Sequence, residues 1–161
     1  MRKKTIEDYV ELIYKLQTNN TPVHTTAIAS SFGINPASVT EAFQKLHDEG
    51  YVYYEKYAGV TLTKKGKKIA IQTQHKHETL KQFLILLGID EQIANDDACK
   101  IEHIVNPATM KRLRKFVEYA SKFHENPRWL DHFDHYYKTG EFIGCTRKTV
   151  EKCPIDTKGR Q

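Results

Sequence analysis

Gly33 sits between two short apolar-periodic stretches, and a run of β-branched and aromatic residues follows soon after; this arrangement narrows the possible folds more than any other part of the chain. Thr25-Thr26 opens a short helix that runs through Phe32, where Gly33 stops it. Ile34-Asn35-Pro36 starts the next, with proline in the first turn, and it runs to about Asp48 with Gly50 ending it. The first helix offers Ile28, Ala29 and Phe32 to a core, with the small Ala29 where two helices must approach closely. The second packs Val39, Phe43 and Leu46 inward and turns Ala37, Ser38, Glu41, Gln44 and Lys45 outward, with Thr40 at the margin and Asn35 at its start. A connection as short as Phe32-Gly33-Ile34 is what a helix-turn-helix needs. Small and hydrogen-bonding residues at the start of the second helix suit entry into a DNA major groove. An ordinary αα-hairpin with a polar surface has the same pattern, and the next segment separates the two readings. Tyr51 to Thr63 alternates like a β-hairpin broken at Ala58-Gly59. Three helices followed by a hairpin make a winged helix, whose tip, from Lys56 and Tyr57 to Gly59, is placed to touch a phosphate backbone.

The remaining punctuation gives the organisation. Ile6, Tyr9, Val10, Ile13 and Tyr14 recur at helical spacing over Thr5–Gln17, and Thr5 with Asp8 reads as an N-terminal cap. Thr18-Asn19-Asn20-Thr21-Pro22 is a turn. A long helix is expected from Thr63-Lys64 to about Leu87, a break at Gly88-Ile89-Asp90, and an amphipathic helix from Glu91 to Val105. Asn106-Pro107 and Asn126-Pro127 each start another, the last ending at Gly140. The expected fold is mainly α: a winged helix-turn-helix DNA-binding domain over 1–70, an all-helical dimerisation domain over 71–140, and a polar, mobile tail over 141–161.

With 39% hydrophobic residues in 161, the chain has enough apolar side chains for a core, and it holds no apolar run long enough to span a bilayer. The basic start leads at once into Glu7 and Asp8, which disfavours a signal peptide. The three cysteines, Cys99, Cys145 and Cys153, are too few for a disulfide framework, so a reducing cytoplasm is expected. A formal charge of +5 permits nucleic-acid binding without requiring it. Lys64-Lys65-Gly66-Lys67-Lys68 alone would read as a solvated helix face. Beside a wing, Lys64 and Lys65 read instead as phosphate contacts.

Several residues carry metal chemistry. Asp8 and Glu11 lie three apart on the first helix, opposite Tyr9 and Ile13. Cys99, Glu102 and His103, at i, i+3 and i+4, project from one stripe of one expected helix. His77 lies on the long helix with His75 and Glu78 near it. Carboxylate, imidazole and thiolate at such spacings chelate a divalent transition metal, although a carboxylate pair is common on surfaces and a cysteine is often a small core residue.

At this point the chain resembles a known family, the metal-dependent repressors of the diphtheria toxin repressor and manganese transport regulator type. The resemblance runs from Thr5 to about Tyr137, on Glu7-Asp8-Tyr9-Val10-Glu11-Leu12-Ile13-Tyr14, Pro36-Ala37-Ser38-Val39-Thr40, Leu62-Thr63-Lys64-Lys65-Gly66, His77-Glu78 and Ala98-Cys99-Lys100-Ile101-Glu102-His103. It implies that Asp8, Glu11, His77, Cys99, Glu102 and His103 bind metal, Mn(II) or Fe(II), with one or two ions per subunit. Asp8 is similar to the manganese-type members and Cys99 to the iron-type, so the donor set is a hybrid; the SH3-like third domain that iron-type members often append is absent from the sequence. The resemblance further implies a homodimeric, cytoplasmic repressor of metal-uptake genes on palindromic double-stranded operator DNA, not an enzyme, with metal clamping the DNA-binding domain to the dimerisation domain. A metal-independent winged-helix regulator and a metallohydrolase are the alternatives. His132 and His135, with Asp131 and Asp134, form a His-x-x-His patch expected to be a polar helix face, with a secondary metal site as the alternative, and His24, His47 and His124 are expected on the surface. Phe116, Tyr119, Phe123 and Trp129 are expected in the core or a dimer interface.

Overall fold

The computed structural model describes residues 1–17, 21–122 and 128–143. The elements run α1 (Lys3–Leu16), α2 (Thr25–Phe32), α3 (Pro36–Asp48), β1 (Val52–Glu55), β2 (Gly59–Leu62), α4 (Lys64–Leu86), α5 (Glu91–Ile101), α6 (Pro107–Ala120) and α7 (Arg128–Thr139). Two compact units result: Met1–Glu78 with Cys99–Ile104, and Thr79–Ala98 with the described residues from Val105 onward. The chain therefore leaves the first unit at Glu78, returns to it for six residues, and leaves again.

The first unit is a helix-turn-helix with a wing. Gly33 adopts φ +64, and its N–H closes the end of α2 on Ser30; a left-handed residue here lets the chain turn at once into α3. Asn35 caps α3, its Oδ1 accepting from Ala37 N at 2.8 Å, with Pro36 in the first turn. Antiparallel β1 and β2 pair in the register Val52↔Leu62 to Glu55↔Gly59, and Val23 adds an isolated bridge to Val60. The turn falls at Lys56–Ala58, one step earlier than Ala58-Gly59 suggests, and Tyr57 rather than a glycine takes the left-handed conformation, φ +72. Gly59 is required for a different reason. A Cβ there would lie 2.9 Å from Val23 O, so the bridging segment could not approach.

The core of this unit joins Ile6, Tyr9, Val10 and Ile13 of α1 to Ile28, Val39, Phe43, Leu46, Val52 and Val60, all buried. Edge-on ring contacts run Phe32–Tyr9–Phe43–Tyr54, at 5.0, 6.4 and 5.4 Å between centroids. Phe32 lies at the exposed end of this chain, contrary to its expected place in the core: as the last residue of α2 it covers Tyr9 from outside. Thr63 caps α4, its Oγ1 accepting from Gly66 N at 3.1 Å and donating toward the carbonyls of Gly50 and Tyr51. A Cβ on Gly66 would run into Tyr51 O, so the glycine in the lysine run lets the start of α4 close onto the strand entry.

Two boundaries differ from the sequence reading. Helix α1 starts at Lys3, with Arg2 at the N-cap and no side-chain cap, so Thr5 is inside the helix and caps nothing. Helix α5 ends at Ile101 rather than Val105. The chain must reach extended backbone at Asn106, which caps α6 from Ala108 N at 2.8 Å, and a tight turn with Ile104 N–H on Ile101 O makes that change. The turn expected at Thr18–Pro22 falls mostly on 18–20, outside the described residues, as do Asn126-Pro127, Phe123, His124, Cys145, Cys153 and the tail from 144.

In the second unit, Leu80, Ala94, Ala98, Met110, Ala120 and Leu130 are buried, and Phe83, Phe116 and Trp129 pack ring to ring at 5.8 and 5.7 Å. Ile93, Tyr119, Phe133, Tyr136 and Tyr137 leave large apolar surfaces exposed. Among the described residues no helix is long and apolar enough to cross a membrane.

Candidate metal centre and nucleic-acid face

One side of α1 is apolar and seats the core; the other carries Glu7, Asp8 and Glu11. At 3.6 residues per turn, residues 7 and 11 fall on one stripe and residue 8 beside it. Glu7 and Glu11 are nonetheless buried, at 5% and 7% exposure, and Glu102 at 1%. Carboxylates are rarely buried without partners, and here the partners come from two other chain segments of the same unit. His77 Nδ1 lies 2.9 Å from Glu102 Oε2. His103 Nδ1 lies 2.9 Å from Glu7 Oε2, and its Nε2 lies 2.9 Å from Asp8 Oδ1 and 3.3 Å from Glu102 Oε1. Lys76 Nζ stands 3.4 Å from Glu7 Oε1, and Lys15 Nζ 2.8 Å from Glu11 Oε1.

The electrostatics are strained. Burial, followed by the charge of Glu11, pushes Glu102 up to about 8. Asp8 is also raised, first by burial, although the facing His103 pulls the other way. The Cys99 thiol is exposed yet raised, by partial desolvation and then by Glu102, Glu11 and Asp8 around it. Glu11 Oε1 and Glu102 Oε1 are buried with no directed hydrogen bond from the nearby Lys15 and His103 nitrogens, and the proton kept on Glu102 is shared with Glu11. Buried carboxyls that must share a proton to coexist are chemistry that a divalent cation satisfies.

Asp8, Glu11, Glu102 and His103 are thus brought together, with His77 on Glu102 and Cys99 near the carboxylates. The expected single stripe for Cys99, Glu102 and His103 is corrected. Cys99 is on the last turn of α5, whereas Glu102 and His103 lie in the turn beyond it, which points both inward. Among the described residues no three such side chains are disposed to hold an ion, and the imidazoles and carboxylates face one another instead. Glu7 is a member of the cluster that sequence reasoning missed. Its one available signal was the i, i+4 relation to Glu11, which puts both on the same stripe. On α7, His135 Nε2 lies 3.8 Å from Glu141 Oε2, and Asp134 pairs with Lys138 at 2.6 Å.

The other candidate face lies on the same unit. Asn35, Ala37, Ser38, Thr40, Glu41, Gln44 and Lys45 are exposed along α3, as expected, while Val39, Phe43 and Leu46 are buried behind them. Thr40 Oγ1 bonds back to Pro36 O, and Gln44 Nε2 to Asp48 Oδ1. At the wing tip Tyr57 is 86% exposed with the Lys56 ammonium over its ring. Lys64 is exposed. Lys65 is exposed too, but it donates to Glu49 O at 2.9 Å and sits over the Tyr51 ring at 4.0 Å, holding the end of α3 to the start of α4.

Comparison with known proteins gives a consistent result. Residues 1–60 match the iron-dependent repressor N-terminal DNA-binding domain, and 63–130 the iron-dependent repressor metal-binding and dimerisation domain. An uncharacterised HTH-type transcriptional regulator of Methanocaldococcus jannaschii is 45% identical over 117 residues, covering 71% of this chain and 94% of the relative. The HTH-type transcriptional regulator MntR of Bacillus subtilis is 39% identical over 119 residues, covering 74% and 84%. Among solved structures, the manganese regulator SloR superposes with a TM-score of 0.62 at 32% identity, over 71% of this chain and 54% of that one. A manganese-dependent transcriptional repressor in complex with manganese gives 0.64 at 28%, over 71% and 53%; this chain thus spans about half the length of both.

Proposed function

The chain belongs to the iron-dependent repressor family, DNA-binding transcriptional regulators rather than enzymes, and from that premise we propose that Asp8, Glu11, His77, Cys99, Glu102 and His103 hold a divalent ion, Mn(II) or Fe(II), that activates binding to operator DNA. The observation that carries the reading is the gathering of carboxylates and imidazoles from three separate chain segments in one unit, with Glu11 and Glu102 buried among them. Relatives described as manganese regulators support the metal class. The thiol of Cys99 adds a soft donor beside three carboxylates, which is compatible with Fe(II) as well as Mn(II).

A bound divalent ion supplies the positive charge that the carboxylates lack. The chain's own residues do the rest. Asp8 and Glu102, which face His103 Nε2, would hold such an ion together with the other named residues, and the proton that burial and Glu11 keep on Glu102 would be released to solvent. The ion would tie the segment 99–104 to α1, the clamp between DNA-binding and dimerisation domains that the family resemblance implies. In a homodimer formed through the exposed apolar surfaces of the second unit, this fixes the separation of the two α3 helices. Consecutive major grooves demand about 34 Å between half-site centres, so ordering raises affinity by selecting the matching geometry. On the DNA, Asn35, Ala37, Ser38, Thr40, Glu41, Gln44 and Lys45 face base edges, and Lys56, Tyr57, Lys64 and Lys65 face phosphates. Palindromic operators at metal-uptake genes in the cytoplasm are the expected targets.

The test is calorimetric titration with Mn(II) and with Fe(II), alongside anisotropy on a palindrome selected from a random library. Glu11→Ala and His77→Ala should abolish metal-stimulated DNA binding while the far-ultraviolet circular dichroism stays unchanged. Metal-dependent DNA affinity surviving in either variant would remove the ligand set. Cys99→Glu should shift preference toward Mn(II); DNA binding by the parent protein that is indifferent to metal would favour the metal-independent regulator.

A further inference from the structure

We propose that Glu7, which lies outside the ligand set, is a positioning residue that holds His103 in the tautomer protonated on Nδ1, leaving Nε2 as the lone-pair donor. The proposal rests on the metal-centre reading above. The two ring nitrogens of His103 meet different surroundings. Nδ1 lies 2.9 Å from Glu7 Oε2. Nε2 faces Asp8 Oδ1 at 2.9 Å and Glu102 Oε1 at 3.3 Å. The imidazole is 2% exposed, so water does not compete for either nitrogen.

A neutral imidazole carries one N–H and one lone pair, and a carboxylate only accepts. Nδ1 is in hydrogen-bond geometry with Glu7 Oε2, which can only accept, so the hydrogen sits on Nδ1; the Nε2 contacts to Asp8 and Glu102 are ion-pair distances without hydrogen-bond alignment, and Nε2 keeps the lone pair. The other oxygen of Glu7 is turned the opposite way: Oε1 lies 3.4 Å from Lys76 Nζ and 3.9 Å from Lys3 Nζ. Each oxygen thus has its own neighbour, and the ammonium groups leave Oε2 to the histidine. A ligating histidine commonly donates its second N–H to a carboxylate, which fixes ring orientation and raises basicity; removing such a partner typically costs about 10- to 100-fold in metal affinity. A residue that merely neutralised Lys76 would need no contact with His103.

The experiment has two readouts on the full-length protein. Long-range proton–nitrogen correlation of histidine-labelled, metal-free protein reads directly which ring nitrogen of His103 carries the hydrogen. Calorimetry with Mn(II) reads the affinity. Glu7→Leu should abolish the Nδ1–H preference and weaken Mn(II) binding about 10-fold or more. Glu7→Gln keeps an accepting carbonyl and should restore both to near the parent values. Lys76→Met, which removes the ion pair and leaves the hydrogen bond, should change the tautomer not at all and the affinity less than about threefold, as for an outlying charge. An unchanged tautomer or unchanged affinity in Glu7→Leu overturns the proposal, as does a Glu7→Gln variant no better than Glu7→Leu. If the parent protein takes up no Mn(II) while the tautomer still responds to Glu7→Leu, the metal-centre reading has failed and the positioning role falls with it.

Discussion

The two sides of α1 are buried to a similar degree and do opposite things. On one, Tyr9, Val10 and Ile13 pack into the helix-turn-helix core, where each large apolar side chain contributes roughly 1.5–3 kcal/mol to folding. On the other, Glu7 and Glu11 are as deeply covered, yet the neighbouring Glu102 is pushed up to about 8 and shares its proton with Glu11. The apolar side is settled by folding alone. The acidic side is left with unsatisfied charge, and that is where a ligand can act. Burial therefore marks stability on one side of a helix and reserved binding capacity on the other.

The largest expected effect tests that contrast directly. Phe43→Ala removes a fully buried ring that meets Tyr9 and Tyr54, and should cost about 3–5 kcal/mol in urea unfolding. Glu11→Ala, at comparable burial, should cost no more than about 1 kcal/mol, because it also removes the charge that destabilises Glu102. Equal losses in the two variants would break the comparison.

The next effect is a pH dependence whose sign follows from Glu102. Its folded value is about 8 against an ordinary 4.5, so the native state keeps a proton that the unfolded chain has already released. This contribution to stability is full below about 4.5 and is lost as pH rises toward and through about 8, with a slope approaching about 1.4 kcal/mol per pH unit inside that window. Urea midpoints of metal-free protein between pH 5 and pH 9 should fall, and Glu102→Gln should flatten the fall. The same proton opposes metal binding, so the apparent Mn(II) affinity of the parent should rise over that window. A parent protein whose stability increases with pH there would contradict the picture of Glu102.

The sequence made some of this legible and hid the rest for identifiable reasons. Gly33, Asn35-Pro36 and Asn106-Pro107 are backbone signals, and α2, α3 and α6 begin or end where they stand. Thr5 misled because a capping residue type is common inside helices as well, and here α1 simply continues back to Lys3. The i, i+3, i+4 spacing of Cys99, Glu102 and His103 suggested one helical stripe, and the structure places them differently. Spacing rules assume that the helix continues, and α5 ends at Ile101. Glu7 was invisible as a site residue because charge patterns do not say which carboxylate a distant segment will cover; only the return of 99–104 to the first unit brings His103 onto it. Phe32 shows the converse, an apolar residue whose place at a helix end leaves it outside the core it was expected to join.

The smallest effect is the most discriminating about the acidic side. Lys15 lies 2.8 Å from Glu11 Oε1, a distance that invites the conclusion that it compensates the buried charge. Its side chain is half exposed, however, and the contact is not directional, so Lys15→Gln should change stability at neutral pH by less than about 1 kcal/mol. Its influence should appear elsewhere. The ammonium lowers Glu102 against burial and Glu11, which both raise it. Removing the ammonium should move the Glu102 titration further upward and carry the high-pH edge of the stability loss with it. Midpoint stability followed against pH in Lys15→Gln and in Lys15→Gln with Glu11→Ala separates the two influences. The single variant should shift that edge up, and the double variant should bring it back down. If the single variant leaves the edge in place while destabilising the fold substantially, Lys15 compensates Glu11 after all, and the acidic side is as settled by folding as the apolar one.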